Sequence, residues 1–167
     1  MTIQFAHRPA SPLRLVVECW NNTPKFHPPV DTSNLALGRP VTASSTEPAG
    51  AGPEAAVDGE AATRWSSAWG VDPQWITVDL GRSTDIRRVT LLWEAAYAKS
   101  YRIQVSDDAV HWTDIYQTTA GHGGKEDLTG LRGRGRYMRL YGTERATPYG
   151  YSLYEFKVYG PPRLPGR

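Results

Sequence analysis

At 167 residues the chain is long enough to fill one core and short for two. Its formal charge of +2 comes from scattered arginine and lysine, without the like-charge runs of a nucleic-acid arm. No apolar run approaches the roughly 18 residues of a spanning helix. Met1 to Cys19 lacks the order of a signal peptide, and Cys19, the only cysteine, excludes an internal disulfide and a cysteine-rich zinc site.

In chain order, residues 1–33 are broken by Pro9, Pro12, Pro24, Pro28 and Pro29, which cannot donate ladder hydrogen bonds, and read as a tail or linker. One exception is LRLVVECW, Leu13 to Trp20, whose β-branched and apolar residues suit a strand or a segment docked on the domain edge. From Asn34 the pattern changes to turns and short strands. A turn signal at Asp58-Gly59 precedes Ile76, Val78 and Leu80, which alternate with Trp75, Thr77 and Asp79 up to a second turn at Leu80-Gly81-Arg82. Val89, Leu91 and Trp93 repeat the period of two, and Tyr101, Ile103 and Val105 share one face of YRIQV. Asp107-Asp108 marks a turn before WTDIYQ at Trp112, and the glycine cluster Gly121 to Gly124 precedes RYMRLYG at Arg136. YEFKVY sets Tyr154, Phe156 and Val158 on one face and Glu155 on the other, and residues 161–167 form a second Pro- and Gly-rich tail. No segment of ten residues holds a clean helical stripe. Many short strands about 10 residues apart, without βαβ alternation, predict an all-β domain over residues 34–160, an antiparallel sandwich or jelly roll with ligand loops at its ends.

Catalytic constellations are missing from this pattern. His7, His27, His111 and His122 are dispersed, with no HxxxH or HxH spacing for a transition metal. Glu47 and Glu94 offer the carboxylate pair of a glycosidase, but a polysaccharide-cleaving cleft usually takes more chain than one small sandwich supplies. The chain is therefore expected not to be an enzyme.

The segments NLALGRPVTASS, AVDGEAATRWSS, PQWITVDLG, YRIQVSDD with HWTDIY, RYMRLYG and YGYSLYEFKVYG follow one another in the order and spacing of a discoidin, or coagulation factor type C, domain. Over about Asn34 to Gly160 the chain resembles carbohydrate-binding module family 32, in particular the discoidin modules of bacterial chitosanases. The resemblance implies a galactose-binding-like β-sandwich jelly roll, a structural calcium ion and a sugar site on the loops at one end. It also implies an extracellular setting and an appended or associated glycoside hydrolase.

For calcium, the resemblance implies ligands from Ala55, Asp58, Glu60, Thr63 and Glu155, those of Ala55 and Glu60 through main-chain oxygens. The chemistry agrees: a hard cation wants six or more oxygens, and Asp58, Gly59 and Thr63 supply a carboxylate, carbonyls and a hydroxyl within six residues. For the sugar, the resemblance carries over to Glu47, Arg64, Trp69, Glu94 and Tyr149. A pyranose needs an aromatic face for its C–H side and polar groups for its hydroxyls. Trp69 and Tyr149 lie in the small-residue loops SSAWG and TPYGYS; Arg64 donates a fork of hydrogen bonds, and Glu47 and Glu94 accept from hydroxyls or pair with an ammonium group. Tyr97, Lys99 and His122 are candidate rim contacts, while Trp65, Trp75 and Trp93 fall in strand patterns as core or sheet-face residues.

Two carboxylates beside an aromatic favour a cationic sugar, so glucosamine units of chitosan are the first expected ligand and a neutral β-glucan or galactoside the second. The rival class is an adhesion or lipid-binding discoidin domain. It is disfavoured because TEPAGAGPEA, from Thr46, has no large apolar tip and the stapling cysteine pair is absent, so a membrane partner is not expected.

Overall fold

The computed structural model describes residues 33–50 and 52–162, so the expected strand at Leu13 to Trp20 and the end of the C-terminal tail lie outside the described residues. Within them, β1 (Val41–Ala43), β3 (Gln74–Ile86), β5 (Ala98–Ser106), β6 (Thr113–Thr118) and β8 (Gly133–Arg145) form one sheet, ordered β1-β3-β8-β5-β6. The other sheet, ordered β2-β9-β4-β7, contains β2 (Trp65–Ser66), β4 (Arg88–Trp93), β7 (Lys125–Leu128) and β9 (Ser152–Tyr159). Every pairing is antiparallel. The expected all-β sandwich is present, with one 3-10 turn at Pro53–Ala56 as its only helical element among the described residues.

Alternation explains the core. Ile76, Val78, Leu80, Ile103, Val105, Met138 and Leu140 from the larger sheet are buried in one cluster with Val89, Leu91, Phe156 and Val158 from the smaller. Burying each such side chain stabilises the fold by about 1.5–3 kcal/mol. Trp65 is likewise buried, and its indole N–H is satisfied by the Ser45 carbonyl at 3.0 Å. Trp93 is buried, whereas Trp75 is only half-buried.

Three expectations change. The turn at Leu80-Gly81-Arg82 is a bulge inside β3: the β3–β8 register slips between Asp79 and Thr84, with Gly81 at φ +80. In β9 the register with β4 shifts between Leu92 and Trp93, so Leu153, not Tyr154, joins Phe156 and Val158 in the core. The short strands β1 and β7 were not anticipated, because three or four residues carry too little alternation to read, whereas β2 holds Trp65 in the strand pattern expected of it.

Near the start of the described residues, one buried amide side chain makes the first tertiary link. Asn34 Oδ1 accepts hydrogen bonds from the Ala36 N–H at 3.1 Å and the Val158 N–H at 2.9 Å, while the Leu35 N–H donates to the Val158 carbonyl at 2.7 Å. This buried amide ties the first described turn to the last strand. Asn34→Ala leaves two buried donors unpaired and is expected to lower unfolding free energy by about 2 kcal/mol. Urea denaturation checks this; an unchanged midpoint would contradict it.

Candidate functional site

At one end of the sandwich the C-terminal ends of β2, β4 and β8 meet the N-terminal ends of β3 and β9. The loops leaving these ends enclose a cleft of about 330 Å³ whose lining includes Glu47, Arg64, Trp69, Glu94 and Tyr149. The five residues expected from sequence thus come together, although Tyr149 lies 102 positions from Glu47 in the chain. Tyr97, Lys99 and His122 do not line the cleft: Lys99 pairs with Glu144 at 2.8 Å, and His122 Nδ1 lies 2.9 Å from the Gly123 carbonyl.

The aromatic rings define one wall. Trp69 is 60% exposed and Tyr149 50%, in contrast to the buried Trp65 and Trp93. Their centroids are 5.2 Å apart with planes at 72°, an edge-to-face pair contributing about 0.5–1.5 kcal/mol. The Trp69 indole N–H donates to Glu47 Oε2 at 3.2 Å, which couples the ring to the carboxylate beside it. Gly150 lets the Tyr149 turn approach the loop that follows β2, since a Cβ there would lie 2.7 Å from the Ala68 carbonyl oxygen.

The polar wall rests on serines that the sequence reading passed over. Ser66 and Ser152 are register partners across β2 and β9, with hydroxyl oxygens 2.9 Å apart. Arg64 Nη1 donates to Ser152 Oγ at 2.9 Å and also to Ser66 Oγ. Among the described residues only this nitrogen of the guanidinium is engaged, leaving the rest of its fork for a ligand. Glu94 is oriented by the Ala96 N–H, which donates to Oε2 at 3.1 Å, and by its own N–H on the Ser152 carbonyl at 3.0 Å. Nothing in the segments RWSS and YGYS signals that Ser66 and Ser152 face each other; that follows only from strand pairing. A second trough, of about 460 Å³, lies over β5, β6 and β8. It is lined by hydroxyls, Arg102 and Gln117, and its one aromatic, Tyr101, is buried, so it presents no ring face to a sugar.

The expected calcium ligands also converge in part. Thr63 Oγ1 lies 2.7 Å from Asp58 Oδ2 and 2.9 Å from the Glu60 carbonyl oxygen, and Asp58 Oδ1 accepts the Glu60 N–H at 2.8 Å. Glu155 is 1% exposed, and neither of its carboxylate oxygens has a hydrogen-bond partner. Burial pushes this carboxyl up to about 7; Asp58 and Glu60 add repulsion, while Lys157 and the Gly59 N–H pull the other way without satisfying either oxygen. Without a cation, this residue's contribution to folding is intact below the ordinary carboxylate range and is lost as pH rises through about 7. No three His, Cys, Asp or Glu side chains cluster as metal ligands among the described residues. A cation here would therefore need main-chain oxygens such as those of Ala55 and Glu60. An orphaned buried carboxylate beside a turn of converging oxygens fits a hard divalent ion, which would supply positive charge and rigidity.

The F5/8 type C domain model matches residues 40–156. Among solved structures, chitosan-binding module 1 from a chitosanase/glucanase of Paenibacillus sp. IK-5 is 56% identical, with a TM-score of 0.73, 76% of this chain covered and 98% of that one. Chitosan-binding module 2 of that source, solved in complex with chitotriose, is 51% identical with a TM-score of 0.74, covering 76% of this chain and 100% of that one. The polysaccharide lyase 8 family protein HylA of Enterococcus faecalis (strain ATCC 700802 / V583) is 33% identical over 120 residues. That match takes in 67% of this chain and spans 9% of the length of this curated relative. With the family model matching most of this two-sheet sandwich, the chain belongs to the F5/8 type C, or discoidin, domain family.

Proposed function

We propose that this chain is a non-catalytic carbohydrate-binding module that takes glucosamine oligomers of chitosan in the Trp69–Tyr149 cleft, with a calcium ion bracing the Asp58 turn. The observation that carries the reading is the pairing of Glu47 and Glu94 in one cleft with two exposed rings and a single arginine. The chitosan-binding modules at 56% and 51% identity support the same ligand.

In this reading the rings of Trp69 and Tyr149 receive the C–H face of a sugar, excluding water from it. Arg64 donates to ring hydroxyls, and Glu47 and Glu94 attract the ammonium groups that distinguish glucosamine from a neutral glucose unit. The cleft's own charges, two carboxylates against one guanidinium, leave it net negative. Asp58, Thr63 and Glu155, with carbonyl oxygens of Ala55 and Glu60, would hold the calcium. The setting consistent with the family is extracellular, beside an appended or associated glycoside hydrolase.

Titration calorimetry of glucosamine trimer against a neutral β-glucan trimer tests the ligand. Glu94→Gln is expected to weaken the glucosamine trimer about tenfold or more, through loss of one charge-assisted contact, while changing neutral-glucan binding little. The preference should also shrink as salt rises. Equal affinity for the two trimers, with Glu94→Gln silent, would contradict the charge-based recognition.

A melting curve tests the metal. Calcium is expected to raise Tm over a chelator control, by an increment larger at pH 8 than at pH 5, where protonation already relieves Glu155. Glu155→Gln should abolish the increment. A Tm indifferent to calcium and chelator at both pH values would remove the site.

A further inference from the structure

The two aromatic platforms sit on different loops, and an ion pair set back from the cleft lining joins those loops. Asp72 lies three residues after Trp69, and Arg145 ends β8 four residues before Tyr149. Arg145 Nε donates to Asp72 Oδ2 at 2.9 Å, and the pair is partly shielded, with side chains 22% and 29% exposed. The same guanidinium turns its Nη1 onto the carbonyl oxygens of Pro148 at 3.3 Å and Tyr149 at 3.2 Å. The Tyr149 carbonyl also receives the Gly70 N–H at 3.4 Å, and the Tyr151 hydroxyl donates to the other oxygen of Asp72. Neither Asp72 nor Arg145 lines the cleft.

We propose that Asp72 and Arg145 are positioning residues: their pair clamps the Trp69 loop to the Tyr149 turn and sets the spacing of the two rings on which the sugar rests. The inference rests on the sugar-binding reading above. The guanidinium is needed because one planar fork serves the carboxylate with Nε and two carbonyls with Nη1; a lysine ammonium pairs with Asp72 as a point charge but does not reproduce that division. Asp72 in turn orients the arginine and takes the Tyr151 hydroxyl, whose pKa is raised by burial and by this carboxylate, so it stays a donor. The rings themselves touch only edge to face, too weak a contact to hold two half-exposed side chains against solvent and loop motion. Without the clamp, the turn keeps its Gly70 hydrogen bond but loses the charged anchor that restrains its angle.

The test compares Arg145→Lys, Asp72→Asn, the double variant and Trp69→Ala by calorimetry with glucosamine trimer, with near-ultraviolet circular dichroism and Tm on the same samples. Each clamp variant is expected to weaken the trimer about tenfold, as for loss of one charged hydrogen bond, and to alter the aromatic dichroism. The double variant should lose little more than either single one, since both break the same linkage. Trp69→Ala should abolish binding. Full affinity in a folded Arg145→Lys or Asp72→Asn protein, with Trp69→Ala inactive, would overturn the clamp and leave the sugar reading standing. Normal binding by Trp69→Ala would overturn both. If Arg145→Lys does not fold, Asp72→Asn decides by the same criteria, and a lowered Tm with unchanged affinity and dichroism would mark the pair as merely structural.

Discussion

Two large rings held half in water are the constraint on which the rest of this end of the molecule depends. Trp69 and Tyr149 would gain by folding inward, since each buried aromatic contributes a few kcal/mol. They stay half-exposed on loops whose backbones are tied in place. Gly150 brings the Tyr149 turn down onto Ser67 and Ala68, and the Tyr149 carbonyl is tied to both Gly70 and Arg145. The two rings are thus displayed on a surface held by the hydrogen bonds of their own loops.

The pairing of β2 with β9 links that face to the proposed metal turn. Thr63, Arg64, Trp65 and Ser66 run in sequence from the turn to the cleft, and Ser152 and Glu155 lie on the strand opposite. One short antiparallel pair therefore joins the proposed cation turn at one end to the Arg64 seat of the proposed sugar cleft at the other. A cation that neutralises the buried Glu155 would stiffen β9 and, through Ser152, the serine seat of Arg64. In that proposal the cation would act on recognition without touching the ligand.

The strongest part of the fold was legible because long strands repeat their period: Ile76 to Leu80, Val89 to Trp93 and Tyr101 to Val105 all bury the expected faces. The bulges at Asp79/Thr84 and Leu92/Trp93 were not, because a register slip leaves no mark in alternation until the partner strand is known. In the cleft, Glu47, Arg64, Trp69, Glu94 and Tyr149 were accessible through family motifs and through the oddity of large or charged residues in small-residue loops. Ser66 and Ser152 were not, since a serine in a strand is unremarkable until its hydroxyl meets another 2.9 Å away. Asp72 and Arg145 were hidden for the same reason: they are 73 positions apart and stand behind the rings they position.

The central claim is that recognition occurs at the loop cleft, on the exposed rings and the Glu47, Glu94 and Arg64 side chains. Chemical-shift mapping of the isotope-labelled chain with glucosamine trimer tests it most directly. Saturable shifts are expected at the Trp69 indole N–H, at Tyr149 and Gly150, and at the amides of residues 94–96, with β5 and β6 undisturbed. Shifts confined instead to Ser100, Gln117 and Thr143, over the outer trough, would contradict it.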